Sequence, residues 1–150
     1  MRAVVQRVEK ASVEIEGRSH AAIGPGLLVL LGVEDEDGEA DAVWLSQKVA
    51  HLRIFRDEQG LMNLALRDIR GEALVISQFT LFASTKKGQR PYFARAARPE
   101  KARPLYESFA ALLGQEIGHT AATGIFGATM KISLINDGPV TLILDSRNRE

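Results

Sequence analysis

The chain contains no cysteine, which excludes disulfides, thiolate metal centres and a cysteine nucleophile. Histidine is scarce as well. His20, His51 and His119 are widely separated, show neither metal-ligand spacing nor a recognisable acid–base partner, and read as surface or structural residues. No G-x-S-x-G elbow, H-E-x-x-H helix, P-loop or dinucleotide fingerprint occurs. The longest apolar run, Leu27 to Leu31, falls far short of the roughly 20 residues that cross a bilayer. The opening MRAVVQRVEKASVEIEG lacks the apolar core and cleavage signature of a signal peptide. These absences predict a soluble, cytoplasmic protein with neither metal nor cofactor.

What is present fits one domain over residues 1–150, because single domains most often run to roughly 100–150 residues. An apolar fraction of 45% is enough for a core of that size. Net charge is zero, with 19 basic and 19 acidic residues, but the charge is unevenly spread. Residues 34–41 hold six acids and no base, and read as a solvated face. Residues 84–103 carry Lys86, Lys87, Arg90, Arg95, Arg98, Lys101 and Arg103 against Glu100 alone. Gly88, Pro91, Tyr92 and Phe93 make the first part of that run a loop with aromatic anchors, either plain solvated surface or a contact for phosphates.

Periodicity predicts an α+β domain with a curved, mainly antiparallel sheet and two main helices. Ala11, Val13 and Ile15 alternate with polar neighbours as a half-buried strand. Glu16-Gly17 turns it into a hairpin with 18–23, and Gly24-Pro25-Gly26 turns the chain again. LLVLLGV (27–33) reads as a strand buried on both faces. Asp37 is the predicted cap of a helix carrying Ala42, Leu45, Val49 and Leu52 inward. Residues 52–56 resume extended structure and 57–60 turn. Residues 72–83 read as one long strand. A second helix is predicted over 99–114, with Ala102, Leu105, Phe109 and Leu112 inward. Pro104 pushes its regular start towards 101–103. Two alternating strands, 129–135 and 140–145, close the chain, and SRNRE (146–150) is expected to fray.

Two segments break the rules of their own strands. After the apolar ALVI, Ser77-Gln78-Phe79-Thr80-Leu81 abruptly presents polar groups. Buried, these cost about 1–3 kcal/mol each unless partnered, so the segment is either a strand end turning into solvent or a ligand site. In Asn136-Asp137-Gly138-Pro139-Val140-Thr141, proline cannot donate to a sheet ladder and must interrupt it. The segment is either a plain hairpin turn or, with a cis Gly-Pro bond, a rigid pair of backbone acceptors.

SQFTL at 77–81 and NxGPVT at 136–141 are together the signatures of the D-aminoacyl-tRNA deacylase family, which the chain resembles over its whole length. MRAVVQRV at the start, IGPGLLVLLGV at 23–33, LRIF at 52–55, MNL at 62–64, KKGQRP at 86–91 and GIFGATMKISLIN at 124–136 continue the likeness in order. The resemblance implies a homodimer of barrel-like subunits with active sites at the interface. It implies hydrolysis of the ester joining an amino acid to the terminal ribose of tRNA. Ser77, Gln78, Phe79 and Thr80 would line the catalytic pocket, the backbone at Phe79 and Thr80 serving the oxyanion. Gly138-Pro139, as a cis motif reaching in from the partner subunit, would hold the substrate's α-amino group and reject L-amino acids sterically, while glycyl-tRNA would pass. Met130 would line the same pocket, and Asn136 would brace the turn. Arg7 would hold that turn across the dimer or, as an edge-strand charge, face water. Lys86, Lys87, Arg90 and Arg95 would meet the acceptor stem of aminoacyl-tRNA. A non-catalytic RNA-binding module and a small D-amino acid esterase are the rival readings.

Overall fold

The computed structural model describes residues 1–149. Its organising element is β1 (Arg2–Ile15), a strand of 14 residues. Along one edge β1 pairs antiparallel first with β3 (Gly26–Gly32) and then with β2 (Arg18–Ile23); along the other it pairs antiparallel with β8 (Met130–Asp145). Beyond β3 the sheet turns parallel, to β6 (Glu72–Ser77) and then β7 (Ala122–Thr123). The sheet is therefore mixed, and it curls so that β2 approaches β6 and β7 and the barrel nearly closes. A small hairpin, β4 (Phe55–Arg56) and β5 (Met62–Leu64), stands apart.

The central strands separate two cores, which is why β3 reads as an unbroken apolar run. Leu27, Val29 and Leu31, with Ala73 and Val75 of β6, face the helices α1 (Glu39–Ala50) and α2 (Pro99–Ile117) through Leu45, Val49, Phe109 and Leu113. Leu28, Leu74 and Ile76 face the barrel interior with Val8, Ala11, Val13 and Ile23.

Several local expectations give way to tertiary contacts. Asp37 does not cap α1; Gly38 does, its amide donating to the Asp41 carboxylate at 3.0 Å. Asp37 is instead buried, accepting from the Met1 ammonium at 2.6 Å and the Glu34 amide at 2.8 Å. Helix α2 begins at Pro99, so Pro104 lies inside it rather than in its first turn. Pro104 faces solvent, as does Glu100, whose carbonyl the missing amide would have served, so water can take that place. Leu113 rather than Leu112 is the fully buried leucine of that stretch. Residues 146–149 are tied down rather than frayed: the Ser146 amide bonds the Met1 carbonyl at 2.8 Å, and Arg147 pairs with Glu36 at 2.8 Å. Glu150 lies outside the described residues.

Candidate active site

The predicted strand 72–83 stops at Ser77, and Phe79–Phe82 form a 3₁₀ turn. The Gln78 amide still bonds the Leu31 carbonyl at 2.7 Å before the chain bends. Gly32 permits that bend: a Cβ there would stand 3.0 Å from the Gln78 carbonyl oxygen and 3.1 Å from the Phe82 ring. The polar segment thus leaves the sheet where its neighbour is too small to block it. The amides of Phe79 and Thr80 open the turn, where no acceptor exists within the turn itself. They are available as a pair of donors.

Beside this turn lies a cavity of about 560 Å³. Ser77, Gln78 and Phe79 form one wall, Met130 and Ile132 of β8 another, and Ala102 and Tyr106 of α2 a third. Phe93 completes the mouth, its ring edge-on to Phe79 with centroids 5.1 Å apart at 70°. Thr80 is not part of the lining; its hydroxyl accepts a hydrogen bond from the Gln78 side-chain amide. Among the described residues Tyr106 is the only ionisable side chain in the lining. Burial pushes its phenol up to about 12, the Gly124 amide and Thr123 hydroxyl pulling the other way. It stays neutral and donates to the Val75 carbonyl at 2.9 Å. None of the three histidines lines this cavity.

Gly138 and Pro139 are elsewhere. In the β1–β8 ladder Gln6 pairs with Thr141 and Val8 with Asn136, so residues 137–140 loop out opposite Arg7 alone. The Gly138-Pro139 peptide is cis. Asn136 closes the base of the loop, its Oδ1 accepting from the Val140 amide at 3.0 Å and its Nδ2 donating to Thr141 Oγ1 at 3.0 Å. Arg7 does not face water as an edge charge; it is 1% exposed. Within its own chain its Nε donates to the Asp137 carbonyl at 3.1 Å, with the Asp137 carboxylate 3.0 Å away. Its Nη1 donates to the Ile54 carbonyl. Nη2 is buried without a partner among the described residues, on the Gly138 side.

Of the residues expected to act together, Ser77, Gln78, Phe79 and Met130 share one cavity, while Arg7, Asn136, Gly138 and Pro139 form a second assembly outside it. Lys86, Lys87 and Arg90 are exposed and make no ion pair among the described residues. Arg95 is less free, held by Glu34 at 2.8 Å over the Phe82 ring. The sequence reading missed Ala102, Tyr106 and Phe126 as cavity lining. A tyrosine among the buried positions of α2 was the available signal, since a buried phenol needs a partner. Among the described residues no group of His, Asp or Glu is placed to hold a metal ion, and no helix is long and apolar enough to cross a membrane.

A nearly closed mixed sheet backed by two helices, with its cavity at the end of a parallel strand, is a fold found in solved structures. One, described as "Structural Analysis of a probable eukaryotic D-amino acid tRNA deacylase", superposes with a TM-score of 0.81 over 95% of this chain and 97% of that one, at 15% identity. A second, the "c-Myc DNA Unwinding Element Binding Protein", gives a TM-score of 0.90 at 40% identity over 97% and 98%. The family profile described as D-Tyr-tRNA(Tyr) deacylase matches residues 4–145, and the chain belongs to that family. D-aminoacyl-tRNA deacylases of Cytophaga hutchinsonii and Porphyromonas gingivalis are 59% and 54% identical to it over all 150 residues, with full coverage of both chains.

Proposed function

We propose that the chain hydrolyses the ester linking a D-amino acid to the terminal ribose of tRNA, releasing free tRNA and the amino acid. The observation that carries this reading is the cavity at SQFTL, whose lining among the described residues has no side chain able to act as a base near neutral pH. Such a site suits a substrate that brings its own assistance. An aminoacyl ester on ribose has a neighbouring 2′-hydroxyl, which can relay a proton from the attacking water to the departing 3′-oxygen. The amides of Phe79 and Thr80 then stabilise the negative charge gathering on the carbonyl oxygen. Thr80 has no activating base, its hydroxyl being engaged by Gln78. Thr80→Ala is therefore expected to keep activity within about tenfold of wild type, since general-base-assisted nucleophiles lose far more; single-turnover deacylation measures it.

The active unit in this reading is a homodimer. Among the described residues strand β8 pairs only with β1, leaving its outer edge open over a strand of 16 residues. An open edge of that length invites pairing or cover. Ile143, 71% exposed, extends a row with Val4 and Leu30 across the same sheet face. A second copy covering this face would bring its Gly138-Pro139 loop to the cavity that its own subunit does not reach. There the two carbonyls would take the substrate's ammonium, and an L side chain would collide with the loop. Glycine has no side chain to refuse, so glycyl-tRNA is a second substrate.

The deciding experiment compares release from D-tyrosyl-tRNA and L-tyrosyl-tRNA. Release of the D-form alone supports the reading, and equal release of both removes the chiral role of the loop. A second reading, a nucleic-acid-binding module without catalysis, draws on the uncommitted cations of residues 86–90 and on the name of the relative at 40% identity. It predicts salt-sensitive binding of both tRNAs and release of neither. Release of D-amino acids from simple esters lacking a ribose hydroxyl would point to a small esterase instead.

A further inference from the structure

The loop before α2 carries a feature that ester hydrolysis does not use. Ser84 and Tyr92 exchange both backbone hydrogen bonds, at 2.8 and 2.9 Å, and so close residues 85–91 into a pinned excursion. Gly88, at φ +128, turns its tip, a conformation that side chains other than glycine resist. Lys86, Lys87 and Arg90 project from this excursion without acidic partners among the described residues. Tyr92 lies at the pin itself. It is 69% exposed, and among the described residues neither a hydrogen bond nor a ring contact engages its side chain. Its neighbour Phe93 lines the cavity mouth against Phe79. Successive side chains of an extended segment point to opposite faces, one step of about 3.3 Å apart. The Tyr92 ring is therefore exposed on a pinned backbone, one residue from the cavity lining and at the base of a loop that carries three cations.

We propose that Tyr92 is a stacking platform for an unpaired base of the RNA 3′ end as the strand leaves the cavity, with Lys86, Lys87 and Arg90 taking the flanking phosphates. A flat ring beside a cationic groove is how proteins hold single-stranded nucleic acid without reading its sequence. An enzyme that serves tRNAs of many sequences needs such a grip. The inference rests on the deacylase reading for the identity of the strand, but not for the stacking itself.

Two measurements test it. The first compares wild type, Tyr92→Ala and Tyr92→Phe on D-tyrosyl-tRNA and on D-tyrosyl-adenosine, which has the ester and 2′-hydroxyl but no preceding nucleotide. Tyr92→Ala should raise KM for the tRNA about tenfold, within the range of base–aromatic stacking, with kcat little changed. The nucleoside ester should change less than about twofold, being outside the stacked segment, and Tyr92→Phe should restore tRNA binding. The second measurement is direct binding of an unstructured RNA tetranucleotide and of a blunt RNA hairpin, at several salt concentrations. Tyr92→Ala should weaken only the tetranucleotide. An unchanged KM, equal losses on both substrates, or no rescue by phenylalanine would each overturn the proposal. If wild type hydrolyses neither ester, the deacylase reading fails, and the tetranucleotide alone decides: equal binding by wild type and Tyr92→Ala rejects the platform.

Discussion

Arg7 shows how much one side chain organises. Its guanidinium spans from the Ile54 carbonyl to Asp137, so β4's approach and the Gly138-Pro139 loop hang on the same planar group. A lysine carries the charge but has no fork to serve both directions. Arg7→Lys is expected to lower stability by about 2–3 kcal/mol, in the range of charge-assisted hydrogen bonds lost from a buried site, as read by urea denaturation. Gly138 is constrained differently. A Cβ at its φ of +137 would meet Val140 Cγ2 at 2.7 Å and the Val140 amide nitrogen at 2.8 Å. Gly138→Ala must displace the loop, costing about 1–3 kcal/mol and lowering the ratio of D- to L-tyrosyl-tRNA deacylation. That ratio, measured beside a thermal melt, separates loop displacement from general unfolding. Arg7 was visible in the sequence as a charge in an apolar strand. The resemblance tied it to the Gly138-Pro139 turn, but the Ile54 carbonyl, 47 residues away, was not legible.

At the scale of elements, helix α2 and strand β6 are joined by the Tyr106 phenol on the Val75 carbonyl. Burial raises that phenol to about 12 from an ordinary value of 10.0. The stability it contributes is complete below pH 10 and is lost as pH rises from there through about 12. The loss amounts to at most about 3 kcal/mol, two pKa steps at about 1.4 each. Tyr106→Phe should remove this alkaline decline, seen as the difference between the two proteins' denaturation curves from pH 9 to 12. Elements with clean periodicity were legible: β3, buried on both faces, and the alternating halves of β8 follow from residue order alone. The 3₁₀ turn at Phe79 was not, because composition carries the strand pattern onward to Ala83, and the bend depends on the bareness of Gly32 in a neighbouring strand. Asp37 misled for the same kind of reason. A good capping residue was drawn off by an ammonium group 36 residues away.

For the whole molecule, the sheet's face and its open β8 edge make assembly the quantity to measure. Ile143→Glu places a charge in the row that a second copy would cover, at a position already 71% exposed in one chain. A single chain should tolerate it within about 0.5 kcal/mol, as surface substitutions usually do, while sedimentation should show monomers and deacylation should fall. Retained activity in a monomer would dismiss the shared site. The sequence anticipated the sheet and two helices but not the sheet's parallel arm, since parallel pairing of β3, β6 and β7 joins segments separated by whole helices.

The cavity's single ionisable side chain has a consequence for how this protein would behave across environments. A lining whose one phenol stays protonated to about 12 has no protonation state of its own to keep up between acid and mild alkali. Any inflection in a plot of rate against pH would then arise outside this lining, in the bound molecule's amine or hydroxyl or in the loop that completes the site.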